Sequence, residues 1–431
     1  MQTDVQQEGV YEETPTKKSA LGTQALIFMM ITALLSAIGF GIISPVVPFL
    51  VRPYVAQANV AVTMGWVTSI YALCQLFAAP VLGALSDIWG RRWLLLLCLL
   101  GSAIGYFLMG IGGALWVLIL GRVIDGITGG NFSILAAYIA DVTRPEDRGK
   151  YFGQLGAMVG VGFILGPVMG GFLARFGISA PLYAAAGITL LNIVLGLFAL
   201  PESLSKEQRA QSQFDRSVFN PLQHFVKIFT MKQIFWLLIV MFCYTLPFSA
   251  ILGGLNGILA IDTLGWHAEQ IGYMMLGVGC VDILMQGVLS GMLLKRFSEA
   301  ALTISGLICV AASYVSLTLL AIYPFPLFMF AMIALWGIGS GLIEPASRGL
   351  LSRMTPPEDQ GVVNGSSQSI QSLCLIVGPL LAGWAYGYLG RSVPFLVGAA
   401  IFLLGIVAMC LAMPMVRRAV KASEAAPIGI E

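Results

Sequence analysis

Five ionisable residues of this chain fall well inside long apolar runs: Arg122, Asp125, Asp282, Glu344 and Arg348. A charge at the centre of a membrane helix costs about 2.5–3.5 kcal/mol, so five isolated ones would cost roughly 13–18 kcal/mol. Folded proteins are stable by only about 5–15 kcal/mol. The five must therefore pair, take up protons or face water. Arg122 and Asp125 are spaced i,i+3, and Glu344 and Arg348 are spaced i,i+4, so each pair shares a helix face. Either pair is a structural clamp or part of a coupling site. Asp282 has no charged neighbour in its own run and stands about twelve residues into it. A carboxyl withdrawn from water at that depth is suited to loading and releasing a proton, or to meeting a substrate, and a packed or bridged role is the alternative.

Amide and aromatic side chains in the same runs are candidates to line a cavity: Asn131, Tyr244, Phe248, Asn256, Gln286, Gln368 and Gln371. Other chemistry is poorly represented. The seven cysteines lie in apolar runs without a C-x-x-C spacing, so they read as packing residues. The two histidines, His224 and His267, are far apart and in loops. No metal site or cofactor is expected. H-E-x-x-H, G-x-S-x-G and G-x-x-x-x-G-K-[ST] are all missing, so neither a membrane-embedded enzyme nor direct use of ATP is indicated.

The elements that position these residues follow from composition. Hydrophobic residues make up 58% of the 431 and charged residues 10%, against about 25% charged in soluble domains. The mean hydropathy is +0.88. A chain of this composition belongs in a lipid bilayer. With no clustered basic face, nucleic acid is not a partner. Runs of about 20 apolar residues predict spans near 22–50, 60–86, 92–112, 115–140, 150–175, 178–200, 233–261, 270–294, 300–322, 325–352, 359–389 and 391–415. Pro45, Pro48 and Pro345 are expected kinks.

The polar stretch 201–232 divides these spans six against six. It reads as a linker that opens P-E-S-L-S-K-E-Q-R and closes in an amphipathic piece, Phe219 to Thr230. The organisation is then a tail 1–21, a first half 22–200, the linker 201–232, a second half 233–415 and a tail 416–431. The first twenty residues lack the pattern of a cleaved signal peptide and read as a disordered cytoplasmic tail. Of the 23 lysines and arginines, 18 fall on the side of the termini, while the opposite loops hold Arg52, Arg175 and Arg391. The positive-inside rule then places both termini in the cytoplasm.

The halves repeat each other at an offset of 212. Thr143, Pro145, Glu146, Asp147 and Gly149 recur as Thr355, Pro357, Glu358, Asp359 and Gly361. Gly166, Pro167 and Gly171 recur as Gly378, Pro379 and Gly383. Parallel repeats of six spans are a transporter plan in which the substrate site lies between the halves near mid-membrane.

Three motifs carry a resemblance. The loop between spans 2 and 3 reads G-A-L-S-D-I-W-G-R-R, with Gly83, Asp87, Gly90, Arg91 and Arg92 at its marked positions. Span 4 begins G-R-V-I-D-G-I-T-G-G and ends A-A-Y-I-A-D at Asp141. Span 5 carries Gly156, Gly160, Gly166, Pro167, Gly170 and Gly171, where Gly156 and Gly160 form a small-x-x-x-small face suited to close helix approach. The loop resembles the signature of the major facilitator superfamily, G-x-L-a-D-r-x-G-r-r, with Ile88 in place of a basic residue. Arg122 and Gly126 match the family's R-x-x-q-G, with Asp125 in place of glutamine. The span 5 pattern resembles the antiporter motif, common in exporters. The loop equivalent in the second half, Gly291 to Phe297, is degenerate.

Together these resemble twelve-helix drug/proton antiporters, and within them the tetracycline-resistance branch. Two departures stand out. Ser36 occupies the place of an acidic residue of that branch in span 1, and Asp282 the place of a histidine. The resemblance implies an all-α membrane protein of twelve helices in two pseudo-symmetric halves. It implies that Asp87 contacts the second half, near Pro357, to hold one face shut, that Asp141 faces the loop arginines, and that Arg122 is linked to proton coupling. The expected function is export of a lipophilic drug-like molecule in exchange for protons, by a monomer in the inner membrane. The alternatives are a proton-coupled symporter of a nutrient and a non-transporting receptor. The partners are the small-molecule substrate, protons and the bilayer.

Overall fold

The computed structural model describes residues 15–211, 234–355 and 360–425. The tail 1–14, the amphipathic piece Phe219 to Thr230, His224 and the segment Pro357 to Asp359 lie outside the described residues. In a bilayer every backbone polar group must be satisfied within the chain, so apolar runs of spanning length form helices. Twelve helices among the described residues meet that length and composition. They are Gln24–Ile43 (span 1), Gln57–Trp89 (span 2), Arg91–Ile111 (span 3), Leu115–Val142 (span 4), Arg148–Phe176 (span 5), Ala180–Ala199 (span 6), Phe235–Leu252 (span 7), Ala268–Leu294 (span 8), Glu299–Ile322 (span 9), Pro326–Met354 (span 10), Val363–Leu389 (span 11) and Val393–Arg417 (span 12).

Several boundaries differ from the sequence expectation. Span 1 stops at Ile43 instead of running to residue 50. Pro45 sits in the turn that follows, and Pro48 in a separate short helix, Val47–Val51. Pro lacks the N–H that would continue the ladder. Span 4 is interrupted between Ile127 and Asn131, and the run expected as one span over 233–261 divides into Phe235–Leu252 and Leu255–Leu264. At the second break Gly254 takes φ 87°, which only glycine adopts readily. Span 10 stays one helix through Pro345. Span 8 contains one turn of π-helix, Met285–Leu289, which begins three residues after Asp282.

The helix pairings repeat between the halves. Within the first six spans, span 1 packs on 5 and 6, span 3 on 4 and 6, and span 2 on 4. The same pairings, shifted by six, hold 7 on 11 and 12, 9 on 10 and 12, and 8 on 10. The halves meet along two seams, span 2 against 11 and span 5 against 8. The six-span shift carries one seam into the other, as a pseudo-two-fold axis requires. Of the repeat glycines, Gly171 and Gly383 sit on these seams, while Gly166 and Gly378 pack on spans 1 and 7 of their own halves. A Cβ at Gly171 would stand 2.8 Å from the Ala268 carbonyl on span 8, and one at Gly383 would collide with the Ala61 carbonyl on span 2.

Both seams are closed at one end only. At the end bearing Arg52, a continuous core joins Ile42, Val47 and Met64 of the first half to Leu259, Met274 and Tyr386 of the second. Toward the end bearing Arg91 the core splits. One cluster, around Phe28, Leu95 and Tyr138, belongs to the first half, and another, around Met285, Leu302 and Ala346, to the second. No atom lies within 4 Å of a Cβ placed at Gly156 or Gly160 on span 5, or at Gly287 or Gly291 on span 8. The bundle is a wedge, shut at the Arg52 face and open at the Arg91 face.

This corrects the reading of span 5. Gly156 and Gly160 extend the face on which Ile164 and Gly171 touch span 8, but they lie where the halves diverge. Close approach belongs instead to Gly162, Gly166 and Gly170, whose Cβ positions would meet span 1 backbone or side chains, and to Gly171.

Candidate functional site

The second half holds a cavity of about 210 Å³ between spans 7, 10 and 11. Tyr244 and Phe248, one turn apart on span 7, form one wall, and their rings lie within 7° of parallel at 5.9 Å. Trp336 on span 10 continues this stack, 5.5 Å from Phe248 at 16°. The polar side is Glu344, Ser347 and Arg348 of span 10 with Gln371 of span 11. Glu344 Oε1 accepts from Arg348 Nη2 at 2.6 Å and from its Nε at 2.9 Å. The expected pairing forms, yet the Arg348 side chain is 71% exposed, so the pair faces the open cleft instead of a buried clamp.

Asp282 stands beside this cavity, half-buried and within electrostatic reach of Glu344 and Tyr244. No cation pairs with it among the described residues. Its Oδ2 accepts from Gln286 Nε2 at 2.8 Å, and Gln286 lies in the π-turn. Its Oδ1 lies 2.8 Å from Ser340 Oγ on span 10. The same hydroxyl is 2.9 Å from the Trp336 carbonyl. One hydroxyl proton serves one acceptor at a time. Ser340 can donate to an ionised Asp282, or accept from a protonated one and turn to Trp336.

The first-half charges are arranged differently. Arg122 Nη1 is 3.7 Å from Asp125 Oδ2, and their side chains are 9% and 3% exposed. The guanidinium also lies 5.5 Å over the Tyr71 ring. Gln75 Nε2 bridges the Tyr71 hydroxyl and the Gly129 carbonyl, at 3.2 and 3.0 Å, which holds the break in span 4 in place. Arg122 Nε and Asp125 Oδ2 are buried without a hydrogen-bond partner, as is Ser36 Oγ on span 1.

At the loop between spans 2 and 3, Gly90 adopts φ 102° and ends span 2. Arg91 is fully engaged within its own half: Nη2 to Asp87 Oδ1 at 2.6 Å, Nε to Asp141 Oδ2 at 3.0 Å, and Nη1 to Ser86 Oγ at 2.6 Å. Asp141 thus meets a loop arginine as expected. Among the described residues no hydrogen bond or ion pair joins Asp87 to the second half; Pro357, the expected place of contact, lies outside them. Gly83 has open space around it. Arg92 donates through Nη2 to the Leu197 carbonyl at 2.6 Å.

Sequence reasoning missed Glu202. It caps the start of span 3, accepting from the backbone N–H groups of Arg91 at 2.8 Å and Arg92 at 3.2 Å. An acidic residue just after span 6 was the available signal, since a helix N-terminus favours negative charge. Trp336 and Ser340 gave none. Of the expected lining residues, the structure brings Tyr244, Phe248 and Gln371 to the cavity and Gln286 to Asp282. Asn131 and Asn256 are buried elsewhere, each opening the helix after a break, with Oδ1 accepting from the next backbone N–H. Gln368 is exposed on span 11, away from the cavity lining.

The family model of the Major Facilitator Superfamily matches residues 29–317 and 237–428. Tetracycline resistance protein, class C, of Escherichia coli is 37% identical over 384 residues, covering 88% of this chain and 94% of the relative. Multidrug resistance protein 2 of Bacillus subtilis (strain 168) is 27% identical over 397 residues, 90% of this chain and 96% of the relative. Among solved structures, a peptide transporter bound to sulfate superposes with TM-score 0.74 at 13% identity, over 93% of this chain and 99% of that one. That likeness concerns the fold. The chain belongs to the major facilitator superfamily.

Proposed function

We propose that this protein exports a lipophilic, drug-like molecule across the inner membrane in exchange for protons, by alternating access. The Arg91 face and both termini lie in the cytoplasm, the linker 201–232 joins the two halves on that side, and the monomer is the working unit. The names of the relatives, tetracycline and multidrug resistance proteins, support the substrate class. The positive-inside asymmetry supports the orientation.

The observation that carries the reading is the second-half cavity. Its aromatic wall, Tyr244 and Phe248, and its ion pair, Glu344 and Arg348, stand beside a second carboxylate, Asp282, held only by neutral donors, and the cleft opens to one side. A substrate entering from the cytoplasm meets Tyr244 and Phe248, backed by the buried Trp336, where flat apolar surface is favoured. Asp282 protonated from the opposite side no longer offers a full charge, so proton and substrate compete for one carboxylate. One charge moved through about 150 mV supplies roughly 3.5 kcal/mol, which holds a gradient of about 300-fold at about 1.4 kcal/mol per tenfold. Arg122 and Asp125 support the first half. Asp87 leaves Arg91 for the start of span 11 when the cytoplasmic face closes.

A panel of antibiotics and dyes, tested on cells with and without the protein, checks this. At least one lipophilic compound is expected to be excluded by expressing cells, and a protonophore to abolish the exclusion. Accumulation of a compound by expressing cells instead would support symport and overturn the reading.

A further inference from the structure

We infer that Arg52 and Asp262 form the principal latch that holds the closed face of the bundle shut, with Arg175 and Glu269 as a second, weaker arm. Arg52 follows span 1 in the first half, and Asp262 lies in the short helix Leu255–Leu264 of the second. Arg52 Nη2 meets Asp262 Oδ1 at 2.8 Å. Arg175 Nε donates to Glu269 Oε2 at 2.8 Å, and its Nη2 closes on Oε1. These are the ion pairs that cross between the halves among the described residues, and both lie at the closed face.

The two arms are built alike. Each arginine belongs to the first half and each carboxylate to the second. Each guanidinium is also braced by the phenylalanine three residues before it, Arg52 over Phe49 at 5.9 Å and Arg175 over Phe172 at 5.5 Å. The internal repeat does not produce this, since the positions 212 residues after Arg52 and Arg175 are Leu264 and Gly387. The charges are assigned by half.

Burial separates the arms. The Asp262 side chain is 7% exposed, whereas the Arg175 and Glu269 side chains are 50% and 28% exposed. Exposed pairs are screened and contribute little, while a buried carboxylate depends on its partners. Asp262 has two partners that stay with it when the halves part. Tyr386 OH donates to Oδ2 at 3.0 Å, and Arg391 Nη1 donates to the Asp262 carbonyl at 3.3 Å, both from the second half. Only the Arg52 bond crosses the seam. At Asp262, opening therefore breaks one bond, to Arg52, and leaves the carboxylate hydrogen-bonded to Tyr386. Arg52, already 33% exposed, is released to water. A latch that leaves no orphaned charge is reversible, as a transport cycle requires.

The test uses the full chain in nanodiscs, in a cysteine-free background carrying Met64→Cys. Met64 is 2% exposed, beneath the latch on span 2. Labelling by a membrane-impermeant maleimide reports opening, whichever side of the membrane that face meets. Arg52→Ala and Asp262→Asn are each expected to raise the labelling rate at least about fivefold, as losing a coupling contact does. Arg52→Lys, which keeps the charge, is expected to label close to the parent. Arg52→Ala combined with Arg175→Ala is expected to label faster than either alone. If Arg52→Ala does not yield monodisperse protein, Arg52→Gln gives the same reading with similar volume. Unchanged labelling in the double variant would show that helix packing alone closes the face. A rate in Arg52→Lys equal to that in Arg52→Ala would show that shape, not charge, matters. Either result overturns the latch.

Discussion

The two halves share one helix arrangement, yet they treat their intramembrane charges in opposite ways. In the first half Asp125 is enclosed with a counter-charge, Arg122, and both side chains are over 90% buried. In the second half Asp282 is held by an amide and a hydroxyl, beside a cavity that opens into the cleft. A proton on Asp125 would leave the buried Arg122 cation without its counter-charge, which is costly. A carboxylate held by Gln286 and Ser340 can take a proton, because both donors can reorient to serve the neutral acid. The difference teaches that spacing in sequence does not decide which charge works. On the proposed function the i,i+3 pair acts as a strut, and Asp282, which has no charged partner in its own span, acts as the switch.

The comparison breaks most visibly if the strut is cut. Arg122→Ala leaves Asp125 uncompensated and is expected to cost about 3–5 kcal/mol, measured as lost membrane expression or a large fall in melting temperature. Arg122→Ala with Asp125→Ala is expected to recover part of that loss. If Arg122→Ala is as stable as the parent, the first-half pair is not a strut.

A middle-sized effect sharpens the second-half account. Phe248→Ala removes a ring of the aromatic wall, and loss of about 0.5–1.5 kcal/mol of stacking weakens substrate binding roughly twofold to tenfold. Equilibrium binding in detergent checks this, with proton coupling unchanged in direction. The smallest effect on stability is expected at Gly160→Val. Nothing lies within 4 Å of a Cβ there, so the melting temperature should hold within the range of surface changes, about 0.5 kcal/mol. Transport should still slow, because that face must meet span 8 when the wedge inverts. A transport rate equal to the parent would show that span 5 does not close on span 8.

Much of this architecture was legible in the chain. Spans follow from hydropathy, and the repeat of Gly166, Pro167 and Gly171 as Gly378, Pro379 and Gly383 marked the halves; the structure places Pro167, Gly171, Pro379 and Gly383 of that repeat at their seams. The breaks in spans 4 and 7 were signalled by Gly129-Gly130 and Gly253-Gly254, and were overlooked because hydropathy stays high across them. The misplacement of close approach at Gly156 and Gly160 has a different cause. Small residues specify which face can approach, but the conformational state decides where along the face it does. Gln286, one turn from Asp282, was within reach of a local pattern; the distant partners of Asp282 and Asp262 were not. Ser340 lies 58 residues from Asp282, and Arg52 lies 210 from Asp262. No local pattern in sequence records which spans the fold will bring together.

The central claim, that Asp282 exchanges a proton for substrate, is tested most directly by substrate-induced proton release in proteoliposomes. Parent protein and Asp282→Asn are compared across a range of pH, after both are shown to reach the membrane with similar melting temperatures. The parent is expected to release protons when substrate is added, and to lose transport when a protonophore collapses the gradient. Asp282→Asn is expected to keep measurable substrate binding while proton release falls by about 100-fold or more, the scale of losing a positioned acid or base. Export by Asp282→Asn at the parental rate, with the same pH dependence, would contradict the account and move the coupling site to Glu344 or Asp125.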